Sequence, residues 1–288
     1  MSEFYRYTML ENAIFLQKVE NQLFSSFRRM PESSLFSQSR RKWTPVFTGV
    51  TTCYEDIYFR TQAIGIEMIE AIRKEIPQEE FDYQTLLNCL KDYARPRDKI
   101  SNLLQKGQII RVKKGLYIFG EGYRNKPYSR EILANLIYGP SYVSLDYALQ
   151  HHGLIPERVE VVTSVSVGRS RRFFTPVGLF TYRMIPLKAY RNGMDRVDTG
   201  DGRAFLMATP EKALADKLYD ARGTGIRTQK ELIGYLEESL RIDPEALREL
   251  EPNKLDEVAR GYGSPKIRLL KNLVSRIHQK IGKENAHA

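Results

Sequence analysis

The stretch YARPRDKISNLLQKGQIIRVKKGLYIFG, residues 93–120, carries the pattern on which the fold turns. Arg95 and Pro96 open a helix, since proline presets the first helical φ where no amide hydrogen is needed. Ile100, Leu103 and Leu104 are its apolar triplet, and Gly107 supplies the left-handed residue that stops it. With that triplet inward, a rotation of about 100° per residue leaves Arg95, Asp98, Asn102 and Gln105 outward and Lys99 and Lys106 on the flanks. Ile109, Ile110 and Val112 then run into the turn Lys113-Lys114-Gly115, and Leu116 to Phe119 return as the second strand of a hairpin.

Upstream, Ile64, Met68, Ile69 and Ile72 share a helical face that Pro77 ends, and a second helix is predicted from Tyr83 to about Tyr93 with Leu86, Leu87 and Leu90 inward. Three short helices followed by a β-hairpin is the element order of a winged helix-turn-helix, predicted over residues 63–120. A major groove admits one helix whose outward side chains read base edges. Asn102 and Gln105 are of the type that pairs with adenine, while Arg95, Arg97, Lys99, Lys106, Lys113 and Lys114 suit phosphates. The plain alternative is a solvated helix face; a basic hairpin turn following in order argues against it.

Beyond a polar linker at 121–126, residues 126–222 read as a second, α+β domain. Ser129 starts a helix that runs to Tyr138 and ends at Gly139-Pro140, and Ser144 caps another, LDYALQHHG, which Gly153 ends. Val159 to Val167 alternate as a strand, GRSRR turns, Phe173-Phe174 begin a short strand, and Leu179 to Ile185 make a third, which predicts an antiparallel meander. Arg169, Arg171 and Arg172 crowd the predicted hairpin tip, where they either grip phosphates or stay solvated. Ala204 to Ala208 form a strand that enters TPEKALADKLY, with Thr209 as N-cap and Pro210 at the first helical position.

Residues 226–288 form a helical tail, with helix starts at the Thr228 to Glu231 capping box, Asp243-Pro244 and Ser264-Pro265. Its last helix has an apolar stripe, Ile267, Leu270, Val274, Ile277 and Ile281. A basic set, Lys266, Arg268, Lys271, Arg276, Lys280 and Lys283, accompanies that stripe. Docking on the body with a basic outer side is preferred to a nucleic-acid or membrane-surface role.

Composition limits the function classes. In 288 residues, 42% are hydrophobic and 28% charged, proportions of a globular chain. The net charge is +10, and residues 91–114 hold eight bases against two acids, which favours a polyanionic partner, nucleic acid first. Two cysteines, Cys53 and Cys89, support neither a disulfide framework nor a cysteine zinc site, and Cys89 falls on the apolar side of its helix. No apolar run approaches the roughly 20 residues that cross a bilayer. A cytoplasmic protein without a membrane partner is expected.

Chemistry-bearing clusters are few. His151 and His152 are adjacent on a helix and point about 100° apart, so they cannot share a metal as i, i+4 residues would. Asp195, Asp198 and Asp201 lie in MDRVDTGDGR, but the alternate acids and closing Glu of a calcium loop are missing, and a turn is expected. With no GxGxxG, Walker A, GxSxG or HExxH, no catalytic, cofactor or metal site is predicted. An enzyme acting on nucleic acid is the rival class; a nucleotidyltransferase would need a Gly-Ser followed by paired Asp residues for Mg²⁺, and none is present. A winged-helix regulator whose second domain senses a ligand or partner stays open.

Residues 1–62, including SSFRRMPESSLFSQSRRKWTPVFTGVTT, show neither helical nor strand periodicity. They resemble a translated dispersed bacterial DNA repeat, and are expected to be a disordered or wrongly included extension with Met68 as the true start.

The phrases SYVSLDYALQHHGLIPERVEVVTSVSVGRSRRFFTPVGLFTYRMI and ATPEKALADKLYD, taken with residues 93–120, resemble the AbiEi family of abortive-infection antitoxins. The likeness spans about Ile66 to Arg222. It implies a winged helix that binds inverted repeats in double-stranded operator DNA and represses its own operon. It also implies an antitoxin domain that opposes a nucleotidyltransferase-like toxin of a type IV toxin–antitoxin system, without a stable complex between the two proteins. The tail after Arg222 lies outside the likeness.

Overall fold

The computed structural model describes residues 68–286, a mixed α+β chain with a helical C-terminal end. The expectations for Ile64, for the extension 1–62 and for what precedes Met68 lie outside the described residues.

Residues 68–75 form α1, and Ile69, Ile72 and Ile76 are buried. A three-residue strand, β1 (Glu80–Asp82), follows; it is too short to show period-two alternation, and the sequence does not announce it. Asp82 caps α2 (Tyr83–Cys89), its carboxylate accepting the Thr85 amide at 2.7 Å, a bond that holds its pKa below the ordinary value. This helix ends at Cys89 rather than near Tyr93. α3 (Pro96–Gln105) follows, and Gly107 takes φ +65° just past its C-cap. β2 (Ile109–Lys113) and β3 (Leu116–Phe119) flank the Lys114-Gly115 turn, in which Gly115 has φ +88°. The three strands form an antiparallel sheet in the order β1-β3-β2.

β3 is a wall between two cores. Tyr117 and Phe119, with Ile109, pack against Ile69, Leu86, Ile100 and Leu103. Leu116 and Ile118, with Val112, join a larger core that includes Leu133, Ala134 and Ile137. Successive strand side chains point to opposite faces, so alternation places one pair in each core.

The predicted linker at 121–126 is held in place. It opens with a 3₁₀ turn, Glu121–Tyr123. The buried Glu79 carboxylate accepts from the Asn125 and Lys126 amides at 3.2 and 3.0 Å, and from Arg73 at 2.5 Å. Glu80, also buried, accepts the Ser129 amide at 2.5 Å and two bonds from Arg203 at 3.0 and 2.8 Å. Carboxylates out of water need such partners, and here the partners come from both sides of the segment.

The second half is a sheet with helices. Its elements are α4 (Arg130–Ile137), β4 (Ser141–Val143), α5 (Leu145–His151), β5 (Val162–Ser166), β6 (Arg171–Thr175), β7 (Gly178–Met184), α6 (Leu187–Tyr190), β8 (Met194–Asp198), β9 (Ala204–Ala208) and α7 (Pro210–Asp220). The strand order is β6-β7-β5-β4-β9-β8, with β5–β7 and β4–β9 parallel. The predicted meander is therefore corrected: β7 lies between β5 and β6. Buried Val162, Val165, Phe180 and Tyr182 fit the interior strands, whereas β6, with exposed Arg171, Arg172 and Phe174, fits only an edge. The expected turn in MDRVDTGDGR forms over residues 199–203, around Asp201, and is narrower than expected, since Asp195 and Asp198 lie in strand β8.

Ser144 stands at the N-cap of α5, but its hydroxyl donates to Asp216 at 2.6 Å instead of capping. Thr163 takes over, accepting the Tyr147 amide at 3.1 Å. Asp216 is the centre of a buried polar knot. Lys212, one turn earlier on α7, places its ammonium 2.7 Å from one Asp216 oxygen and 2.9 Å from the Tyr262 hydroxyl. Tyr262 donates to the same oxygen, and Tyr142 reaches the other at 3.2 Å. Lys212 and Asp216 are both wholly buried. Burial pulls the Lys212 pKa down, against the pull of Asp216.

The tail begins with the capping box at Thr228 and Glu231 on α8 (Gln229–Gly234). Asp243-Pro244 opens only a 3₁₀ turn, Ala246–Arg248, where a helix is expected; Glu251, extended ahead of Pro252, then bars a continuous helix and starts α9 (Pro252–Tyr262). In α10 (Pro265–Ala286) Ile267, Leu270, Leu273 and Val274 are buried, as a docked helix requires. Lys266, Lys271 and Arg276 bond to Ala221, Asp256 and Gln229, while Arg268, Lys280 and Lys283 face outward. Among the described residues no helix is long and apolar enough to cross a membrane.

Candidate nucleic-acid interface

α3 and the β2–β3 turn bring together most of the residues singled out for DNA contact. Ile100 and Leu103 face the core, and this fixes the rotation of the helix. Arg95, Asn102, Gln105 and Lys106 are exposed as a result, and Lys99 is half-buried with its ammonium 5.3 Å above the Tyr93 ring. Lys99, Asn102 and Lys106 follow i, i+3, i+7 spacing and lie along one stripe, and Arg95 stands at the N-cap, four residues before Lys99, with a non-helical backbone (φ −135°). The Arg95 side chain is 84% exposed, and its ion pair with Asp98 at 4.0 Å is too loose and wet to hold it back from a phosphate. Arg97 is exposed but lies about 140° round the helix from Asn102, five residues at about 100° each, so it cannot share a groove contact with that side chain.

The hairpin changes the expected set. Lys114 is exposed at the turn. Lys113 is not available: its ammonium donates to the Ile137 carbonyl at 2.6 Å and sits 5.0 Å above the Phe173 ring, so it braces the hairpin on α4 and β6. Arg111 is exposed on β2 and joins the set, although the sequence reading passes over it. Alternation alone does not announce it: Arg111 pairs with Tyr117 on the face of Ile109, which meets the smaller core, and the ladder is irregular between Arg111 and Lys113. Lys114→Gln combined with Arg111→Gln should lower the log–log salt slope of duplex DNA binding by about 1.8, at about 0.9 for each phosphate no longer neutralised. Lys113→Gln should leave the slope unchanged and lower the melting temperature instead; fluorescence titration over a salt series and a thermal melt read the two effects.

The second basic cluster is not a hairpin tip. Arg169 precedes β6, Arg171 and Arg172 lie in its first two positions, and the turn itself is Pro176-Val177. All three arginines are exposed, and none has an ion-pair or hydrogen-bond partner for its side chain among the described residues. Arg183 on β7 lies near them and is paired with Asp220 at 3.3 Å. Ser170, Arg171, Arg172, Thr181, Tyr182 and Arg183 line a cavity of about 290 Å³.

The remaining chemistry-bearing side chains serve the fold. His152 Nε2 is 2.8 Å from the Ala208 carbonyl, and the His151 ring meets it edge-on. Burial, then the neighbouring His152, push the His151 pKa down, with Glu131 opposing. The Cys89 thiol is raised to about 11, chiefly by burial and then by Glu75. Among the described residues no three His, Cys, Asp or Glu side chains converge as a metal site. Sequence reading misses Lys212 and Asp216, whose i, i+4 spacing inside an otherwise apolar helix face is the available signal. Neither a protein-family model nor a curated protein matches the chain.

Proposed function

We propose that the chain is a DNA-binding antitoxin of the AbiEi type, which represses its own toxin–antitoxin operon and counteracts a nucleotidyltransferase-like toxin. The observation that carries the reading is the outward set of Lys99 and Asn102 on α3 with Arg95 and Lys106 at its two caps, flanked by Lys114 and Arg111 on a hairpin that follows it. In this reading residues 68–119 act as a winged helix-turn-helix, α3 enters the major groove of operator repeats, and Asn102 and Gln105 address base edges. The second half supplies toxin neutralisation in the cytoplasm without a stable complex with the toxin and without catalysis.

Co-expression with a neighbouring nucleotidyltransferase-like gene, scored by growth, tests it. Growth should be rescued by the full chain and equally by Arg95→Ala/Asn102→Ala, while repression of a promoter reporter should be lost in that double variant alone. Absence of rescue by the folded full chain contradicts the antitoxin assignment.

A further inference from the structure

The outer face of the β6–β7 edge has a composition that the operator reading does not use. Strand alternation puts Ser170, Arg172 and Phe174 of the edge on one face, and the ladder pairs Arg172 with Thr181 and Phe174 with Leu179, so Thr181 and Arg183 share it. Phe174 is 83% exposed, far more than any other large hydrophobic side chain among the described residues. Arg169 and Arg172 have no side-chain partner among the described residues, and Arg183 is paired with Asp220 at 3.3 Å. The Ser170 hydroxyl accepts the Met184 amide at 3.0 Å and keeps its own hydrogen to donate; Thr181 has no hydrogen bond from its hydroxyl among the described residues.

We infer that this face binds single-stranded RNA. A ring standing free on a sheet can stack only on a base whose face is uncovered, which a duplex does not offer, and arginines beside it meet the phosphates on either side of the stacked base. Thr181 and Ser170 lie in the cavity beside Arg172, where their hydroxyls can bond a ribose 2′-OH, the group that separates RNA from DNA. A duplex would use the arginines and leave Phe174 idle. The inference does not depend on the operator reading, because its residues are disjoint from α3 and the β2–β3 turn.

The test uses the full chain and fluorescent 10-mers of RNA and DNA with the same unstructured sequence, together with a 20-bp duplex DNA. Phe174→Ala should weaken RNA binding about tenfold or more, within the range of one base–aromatic stack, and leave duplex binding unchanged. Arg169→Gln/Arg172→Gln should lower the RNA salt slope by about 1.4, at about 0.7 per phosphate on a single strand. Arg95→Gln/Lys114→Gln should weaken duplex binding and leave RNA affinity within twofold. All variants should melt with the parent, since the changed side chains are exposed. RNA affinity untouched by Phe174→Ala, or binding equal for the RNA and DNA 10-mers, overturns the inference. So does a fall in RNA affinity that matches the fall in duplex affinity in Arg95→Gln/Lys114→Gln.

Discussion

Lys212→Met is expected to cost about 3–5 kcal/mol of stability, the largest single-residue effect in the second half, because it leaves the wholly buried Asp216 carboxylate without its cation. The Tyr142, Ser144 and Tyr262 hydroxyls would still donate to that carboxylate, but three neutral donors do not replace a charge. Replacing both partners, as Lys212→Met/Asp216→Leu, should recover most of the loss, since an apolar pair of similar volume avoids the desolvation of two ions. Tyr142, Ser144 and Tyr262 then lose an acceptor and keep the double variant below the parent. Urea denaturation of the three proteins checks this. A Lys212→Met variant as stable as the parent would mean that the pair does not hold the core.

The second large effect concerns binding. In the proposed function, Arg95→Ala/Asn102→Ala would remove one phosphate contact at the N-cap of α3 and one base-edge contact on the helix. With about 1–3 kcal/mol for a bidentate base pairing alone, specific operator affinity should fall by about tenfold to a hundredfold or more. Non-specific duplex binding should fall far less, because Lys99, Lys106, Arg111 and Lys114 remain. A gel-shift series on operator and scrambled duplexes separates the two, and equal losses on both would remove Asn102 from base readout.

How much of this is legible in the sequence depends on which force decides each element. The rotation of α3 is readable, because Ile100 and Leu103 are spaced for one core and Gly107 marks the end. The capping box at Thr228 and the start of α7 at Thr209-Pro210 are readable because caps are local chemistry. Strand order is not. Nothing within VTSVS, RRFFT and GLFTYRM states that the third pairs in parallel with the first, since that choice is made by burial across the sheet. β1 and β4 are three residues each, too short for any period. Lys113 misleads because a lysine at a hairpin turn looks the same in sequence whether it meets a phosphate or the end of a neighbouring helix, and only the placement of Ile137 decides. The carboxylates of Glu79 and Glu80 look like surface charge until residues 124–129 and Arg203 fold over them.

These tertiary ties also bear on the function proposed. With β3 packed on both faces and Lys113 anchored to α4, Lys114 at the turn and Arg111 on β2 are what the hairpin leaves exposed, and in the proposed function sequence readout falls to α3. The most direct measurement is nuclease footprinting of the full chain on the DNA upstream of its own gene, parent against Arg95→Ala/Asn102→Ala. The parent should protect paired repeats, and the variant, at equal protein concentration and with an unchanged melting temperature, should not. Protection by the variant at the same concentration as the parent, or none by either protein, would contradict the proposed function.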